Sequence, residues 1–145
     1  MFVENLKETL NLGEKLSQKL NPQSIVLLQG PIGAGKTSFV QGIAKGLSIS
    51  EDITSPTFAI SHHYNSGKIP LFHLDLYRLE NISSAKEVFF SEEEEALQNQ
   101  AILVIEWPEL IEPLIENFWK IEISYANHSG RHYVIRDPKN LLTFS

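Results

Sequence analysis

The chain has 145 residues, a length that suits one domain spanning 1–145 and buries roughly 70% of its unfolded surface. Its 42% hydrophobic and 21% charged residues describe an ordinary soluble protein, while a formal charge of −6 and only three arginines (Arg78, Arg131, Arg136) leave no visible basic stripe for gripping nucleic acid unaided. The lack of cysteine excludes disulfides and cysteine-ligated metal clusters, no apolar run reaches the ~18 residues of a membrane span, and Met1–Glu8 has no secretory pattern, so a cytoplasmic protein is expected.

Leu6, Leu10, Gly13, Leu16 and Leu20 recur near helical spacing and predict an amphipathic helix over 6–20, stopped by Asn21-Pro22. A strand over Ser24–Gln29 follows. It runs into Gly30-Pro31-Ile32-Gly33-Ala34-Gly35-Lys36-Thr37, a Gly-x-x-x-x-Gly-Lys-Thr stretch that opens a helix from Lys36 to about Lys45, with Gly46 as its C-terminal glycine. Strand, glycine loop and helix are the context in which this pattern binds a nucleoside triphosphate. Glycines let backbone N–H groups curl around phosphates, and the helix start adds its positive dipole end.

Thr54-Ser55-Pro56-Thr57-Phe58 reads as a loop entering a strand, because proline pushes Ser55 towards an extended conformation. A threonine there is either a sensor of the γ-phosphate or part of a plain strand entry. Thr57–Tyr64 and Ile69–Leu76 form a predicted hairpin around Asn65–Lys68, with His73, Asp75 and Tyr77 alternating onto a polar face. Ser91-Glu92-Glu93-Glu94 has the form of a capping box and predicts the start of a short helix. Ala101–Ile105 is an unbroken apolar run ending in Glu106, as expected of a central parallel strand covered on both faces. After Trp107-Pro108 a short helix interrupted by Pro113 is predicted, then a second hairpin, Phe118–Ser124 with His132–Arg136, around Ala126–Gly130. His62 and His63 point to opposite faces of a strand, and His73, His128 and His132 lack metal-ligand spacing, so structural or solvent roles are expected for the histidines. The fold class is α/β: a single-domain P-loop NTPase with a mixed, centrally parallel sheet flanked by helices.

The expected chemistry is that of a bound nucleoside triphosphate with Mg²⁺, ATP or GTP being left open by the residues. Gly33, Ala34, Gly35, Lys36, Thr37 and Ser38 form the nucleotide-binding set, with Lys36 reaching the β- and γ-phosphates and the Thr37 hydroxyl ligating Mg²⁺. A P-loop alone hydrolyses nothing; the metal needs a second anchor and the attacking water needs orienting. Glu106, at the end of the most core-like strand, and Asp75 are the candidates, with the division of labour between them open. Trp107, one residue on, either walls the site against water or fills core.

Laid out in order, these motifs resemble the TsaE (YjeE) family, small P-loop ATPases of bacterial tRNA threonylcarbamoyladenosine synthesis. The likeness covers almost the whole chain. It rests on Glu8-Thr9 with Leu12-Gly13, Gly33-Ala34-Gly35-Lys36-Thr37, Ser55-Pro56-Thr57-Phe58, His73-Leu74-Asp75-Leu76-Tyr77-Arg78, Ile105-Glu106-Trp107-Pro108, and Gly130-Arg131. The resemblance implies slow ATP hydrolysis by the isolated protein and partners TsaB and TsaD, which modify adenosine beside the anticodon of tRNAs reading ANN codons, so tRNA enters only through the complex. It further implies that Glu106 helps hold Mg²⁺, that Asp75 serves hydrolysis, and that Thr9 and Arg131 touch nucleotide from the two ends of the chain. The segment Asn81–Phe90 departs from the family's pattern, lacking its Pro-Glu-Glu-Leu-like start and the following Leu-Gly pair.

Two other readings compete. A small-molecule or nucleotide kinase would close an arginine-rich lid over the transferred phosphate, and three arginines are little material for one. A nucleotide-gated binding module would treat hydrolysis as incidental, against which stand the intact Lys36, Thr37, Asp75 and Glu106. No Asn-Lys-x-Asp guanine-reading motif is present.

Overall fold

The middle of the sheet is made by short strands whose neighbours cover both faces. In the computed structural model, which describes residues 1–56, 60–127, 129–139 and 142–144, the strands are β1 (Phe2–Val3), β2 (Ile25–Gln29), β3 (Ser61–Tyr64), β4 (Leu71–Asp75), β5 (Ile102–Glu106), β6 (Trp119–Tyr125), β7 (Arg131–Arg136) and β8 (Leu142–Phe144). Their order is β1-β7-β6-β2-β5-β4-β3, with β8 also paired to β7. The pairs β6–β2, β2–β5 and β5–β4 are parallel, while hairpin partners and β1 run antiparallel. This is the mixed, centrally parallel sheet expected. All five side chains of β5 are buried, which is why its sequence shows no alternation.

Helices α1 (Leu6–Ser17) and α2 (Lys36–Gly46) share a core with one sheet face, through Leu12, Leu16, Phe39, Val40 and Ile43 against Val26, Leu28, Ile102, Val104 and Ile121. Helix α3 (Ile82–Asn99) covers the other face at β4 and β5, with Ala85, Phe89 and Ala96 against Phe72, Leu74, Leu103 and Ile105. Among the described residues no helix is long and apolar enough to cross a membrane.

Several elements differ from expectation. Helix α1 starts after Asn5, whose side chain accepts the Glu8 N–H at 3.0 Å, and stops at Ser17, short of Leu20. Gly46 is the last residue of α2 rather than the residue past its end. Glycine is needed there because a Cβ would lie 1.8 Å from Ser17 Oγ, where the two helices meet. The capping box at Ser91 does not begin a helix. Helix α3 runs unbroken through it from Asn81, whose side chain accepts the Ser84 N–H at 2.8 Å. The helix ends at Gln100, which takes the left-handed conformation (φ 53°) and donates its N–H to the Ala96 and Leu97 carbonyls. The predicted helix around Pro113 is a single 3-10 turn, Glu112–Leu114. The first hairpin strand is seen from Ser61; its predicted start at Thr57–Ala59, and His128 in the second hairpin, lie outside the described residues.

The α1–α2 contact is close enough to require glycine on both sides. A Cβ on Gly42 would lie 2.4 Å from the Leu10 carbonyl oxygen, and one on Gly13 would lie 2.5 Å from that of Phe39. Gly42→Ala therefore lowers the unfolding free energy by about 1–3 kcal/mol, even though alanine is the better helix former by ~1 kcal/mol. A urea titration with an unchanged m-value checks it; an equal or higher midpoint refutes the close approach.

Candidate functional site

The loop Gly30–Gly35 leaves β2 at the carboxyl edge of the parallel strands, next to the ends of β5 and β4. Two of its glycines adopt left-handed backbone, Gly33 at φ 81° and Gly35 at φ 101°. A side chain at either would be strained. The loop is clamped from the β6–β7 hairpin: Tyr125 Oη donates to the Ile32 carbonyl at 2.6 Å, and the Arg131 guanidinium donates to that of Gly33 at 3.4 Å while lying over the Tyr125 ring.

On one side of the loop is an open cavity of about 470 Å³, whose lining includes Gly33, Gly35, Lys36, Thr37, Ser38, Asp75, Glu106 and Trp107. Residues from β4, β5 and α2, far apart in the chain, thus meet around one space. The parallel register sets Asp75 directly beside Glu106, so both carboxylates stand on the same face at the same height. Ser55, Pro56, Ile60, Tyr77 and Arg78 complete the wall. Thr57, one of the two threonines considered as a phosphate sensor, lies outside the described residues.

Lys36 is 7% exposed. Its ammonium donates to the carbonyls of Gly30 (2.5 Å) and Pro31 (3.2 Å) and lies 4.1 Å above the Trp107 ring. Burial lowers its pKa below the ordinary lysine value, and the nearby carboxylates of Glu106, Asp75 and Glu109 work against that by favouring the cation. Asp75 is held by the Tyr77 N–H at 2.9 Å, yet its pKa is raised, by burial above all and also by the like charge of Glu106. Opposite charges are thus concentrated in a partly desolvated cleft, the setting in which active-site groups are found.

Trp107 has φ 57°, an uncommon conformation for a bulky residue, and its ring packs 4.8 Å from Tyr77. The turn aims the indole across Lys36 and into the cavity wall instead of the core. Glu106 is 3% exposed and pairs with His73 at 2.5 Å. The expectation that His73 lies on a polar strand face is corrected here: Leu71, Phe72, His73 and Leu74 are all buried, because helices cover both sides of β4. The sequence predicts a structural or solvent role for it; its place two residues before Asp75 on the same strand face is the one sequence feature that points towards the site. His63, on β3, stacks on Phe72 and sits between Glu92 (2.7 Å, at Nε2) and Glu95 (3.7 Å, at Nδ1) of α3, contacts that fasten the edge strand to the helix.

A smaller cavity of about 240 Å³ lies on the other side of the loop. Thr9 and Arg131 meet there with Ala34, Gly35 and Ser38. The structure thus brings Thr9, Gly33, Ala34, Gly35, Lys36, Thr37, Ser38, Asp75, Glu106, Trp107 and Arg131 to two openings flanking one loop.

A family model described as threonylcarbamoyl adenosine biosynthesis protein TsaE matches residues 3–133. The chain belongs to the TsaE family. A tRNA threonylcarbamoyladenosine biosynthesis protein TsaE of Nostoc sp. is 41% identical over 133 residues, covering 90% of this chain and 81% of the relative. One of Bacillus subtilis is 37% identical over 108 residues, 74% of this chain and 65% of that protein. The crystal structure of Bacillus subtilis YdiB superposes with a TM-score of 0.71 at 30% identity, covering 92% of this chain and 80% of that one. The TsaE family is one of tRNA threonylcarbamoyladenosine biosynthesis, and its P-loop α/β architecture is the one found in this chain.

Proposed function

We propose that this chain, acting as one P-loop ATPase unit, binds Mg²⁺-ATP across the loop and hydrolyses it slowly, serving with TsaB and TsaD in the formation of threonylcarbamoyladenosine next to the anticodon of tRNAs reading ANN codons. The observation that carries this reading is the single cavity lined at once by Lys36, Thr37, Asp75 and Glu106. The loop N–H groups and Lys36 take the phosphates. A hydroxyl and two carboxylates are hard oxygen donors of the kind Mg²⁺ prefers, and the metal bound there would neutralise charge on the phosphates. Thr37 and Glu106 would hold it, leaving Asp75 to orient water. The Thr9–Arg131 cavity suits the nucleoside end, since it opens on the same loop from the side away from the carboxylates.

Slow turnover follows from the charge inventory. Among the described lining residues Arg78 is the single arginine at the larger cavity and it is exposed, so little fixed positive charge beyond Lys36 faces the transferring phosphoryl group. The test has two arms. The purified chain should release phosphate from ATP with Mg²⁺ and not with EDTA, well below the ~10 s⁻¹ of a typical enzyme. Reconstitution with TsaB, TsaD, tRNA and threonylcarbamoyl-adenylate should then require this chain and ATP over repeated turnovers. Repeated modification without either, or efficient phosphoryl transfer to a nucleoside or sugar, overturns the reading.

A further inference from the structure

His73 is fully buried in a strand whose other core positions are apolar, and among the described residues Glu106 is the hydrogen-bond partner of its ring. Burying an imidazole costs free energy unless its N–H is matched. Here Nε2 faces a Glu106 oxygen, while Nδ1 has no hydrogen-bond partner among the described residues. The carboxylate accepts, so Nε2 carries the proton, and the ring contributes one hydrogen bond, aimed at one oxygen of one residue.

That oxygen belongs to the carboxylate the cavity shares with Lys36 and Asp75. Among the charges favouring the protonated form of Lys36, that of Glu106 is the largest. Even so, the ammonium donates to the Gly30 and Pro31 carbonyls, and the Glu106 carboxylate is tied to the strand behind it. We propose that His73 is a positioning residue for Glu106: its Nε2–H fixes one carboxylate oxygen, stops the side chain swinging to Lys36, and leaves the other oxygen turned to the cavity shared with Thr37 and Asp75. Strand β4 therefore carries two groups for the site on one face. Asp75 stands beside Glu106 in register, and His73, two residues earlier, holds it from below. A ligand-orienting hydrogen bond of this kind is worth roughly a tenfold to hundredfold change in metal affinity.

This inference rests on the Mg²⁺-ATP reading above, and the experiment separates the two. ATP affinity is measured by calorimetry with Mg²⁺ and with EDTA for wild type, His73→Leu and His73→Gln, the last because its amide offers a donor near the place of Nε2. For His73→Leu, affinity in EDTA stays within about twofold of wild type, while the tightening brought by Mg²⁺ falls roughly tenfold or more; His73→Gln recovers most of it. A Leu variant with wild-type Mg²⁺ tightening, or one that loses affinity equally in EDTA, overturns the proposal. If the Leu variant does not fold, His73→Met, which also lacks the donor, takes its place and is combined with Glu106→Gln: a loss of Mg²⁺ tightening smaller than the sum of the two single losses supports coupling, and strict additivity overturns it. A wild type that binds ATP without any Mg²⁺ effect removes the nucleotide reading, and this proposal with it.

Discussion

Lys36→Ala lowers Mg²⁺-dependent ATP hydrolysis by about 10²–10³-fold and weakens ATP binding with it. The ammonium is fixed at the mouth of the loop by two carbonyls and the Trp107 face, so it is placed before any phosphate arrives. Alanine leaves the backbone N–H groups of the loop intact, and the residual binding measures what those groups supply alone. Lys36→Arg does not restore activity, because a planar guanidinium replaces a compact point charge in a space bounded by the Gly30 and Pro31 carbonyls and the Trp107 ring. The fold tolerates the alanine. A largely desolvated ammonium contributes little net stability, so the urea midpoint stays near that of wild type. Hydrolysis within a few fold of wild type in the folded Lys36→Ala protein would remove the lysine from the site.

What could be read in advance was what depends on local sequence. The loop is legible because its glycines meet a backbone demand, seen at Gly33 and Gly35, and because the strand before it and the helix after it are both apolar in period. Strand β5 is legible because burial on both faces leaves an unbroken apolar run. The misreadings arose where distant packing decides. Ser91 and the glutamates after it satisfy a local capping rule, yet Glu92 and Glu95 are mid-helix residues that reach His63 on the edge strand. The two-residue strand β1 exists because it pairs with Arg131 and His132, more than a hundred residues away. His73 was placed with the polar alternation of β4, but alternation reports exposure only when one sheet face is free, and both faces of β4 are covered. Its tie to Glu106 follows from the β4–β5 register, which sequence alone does not give.

Glu106→Gln and Asp75→Asn separate the two carboxylates. Glutamine keeps a carbonyl oxygen for the His73 N–H, so the Glu106→Gln protein folds as wild type while Mg²⁺-dependent hydrolysis falls by about 10²–10³-fold and the Mg²⁺ contribution to ATP affinity falls with it. Glu106→Ala abolishes hydrolysis as well and carries a second cost: it leaves the His73 donor buried and unmatched, a loss of about 1–3 kcal/mol in stability. Asp75→Asn behaves differently on both counts. Asparagine still accepts the Tyr77 N–H, and ATP with Mg²⁺ binds nearly as before, but hydrolysis drops because the group left to orient water has lost its basicity. Its effect on stability has a sign fixed by the cleft. The Asp75 pKa is higher in the folded protein than in the unfolded chain, so the folded state holds this proton more tightly and Asp75 costs stability once the pH has risen through its unfolded and then its folded value. Removing the charge therefore raises the urea midpoint slightly at pH 7, the gain being modest because Asp75 is only half-buried, and the difference closes as the pH falls below the ordinary aspartate range. Equal losses of Mg²⁺-dependent affinity in the two variants would mean that both carboxylates hold the metal, and an Asp75→Asn midpoint below wild type at neutral pH would place Asp75 in a favourable ion pair instead of beside a like charge.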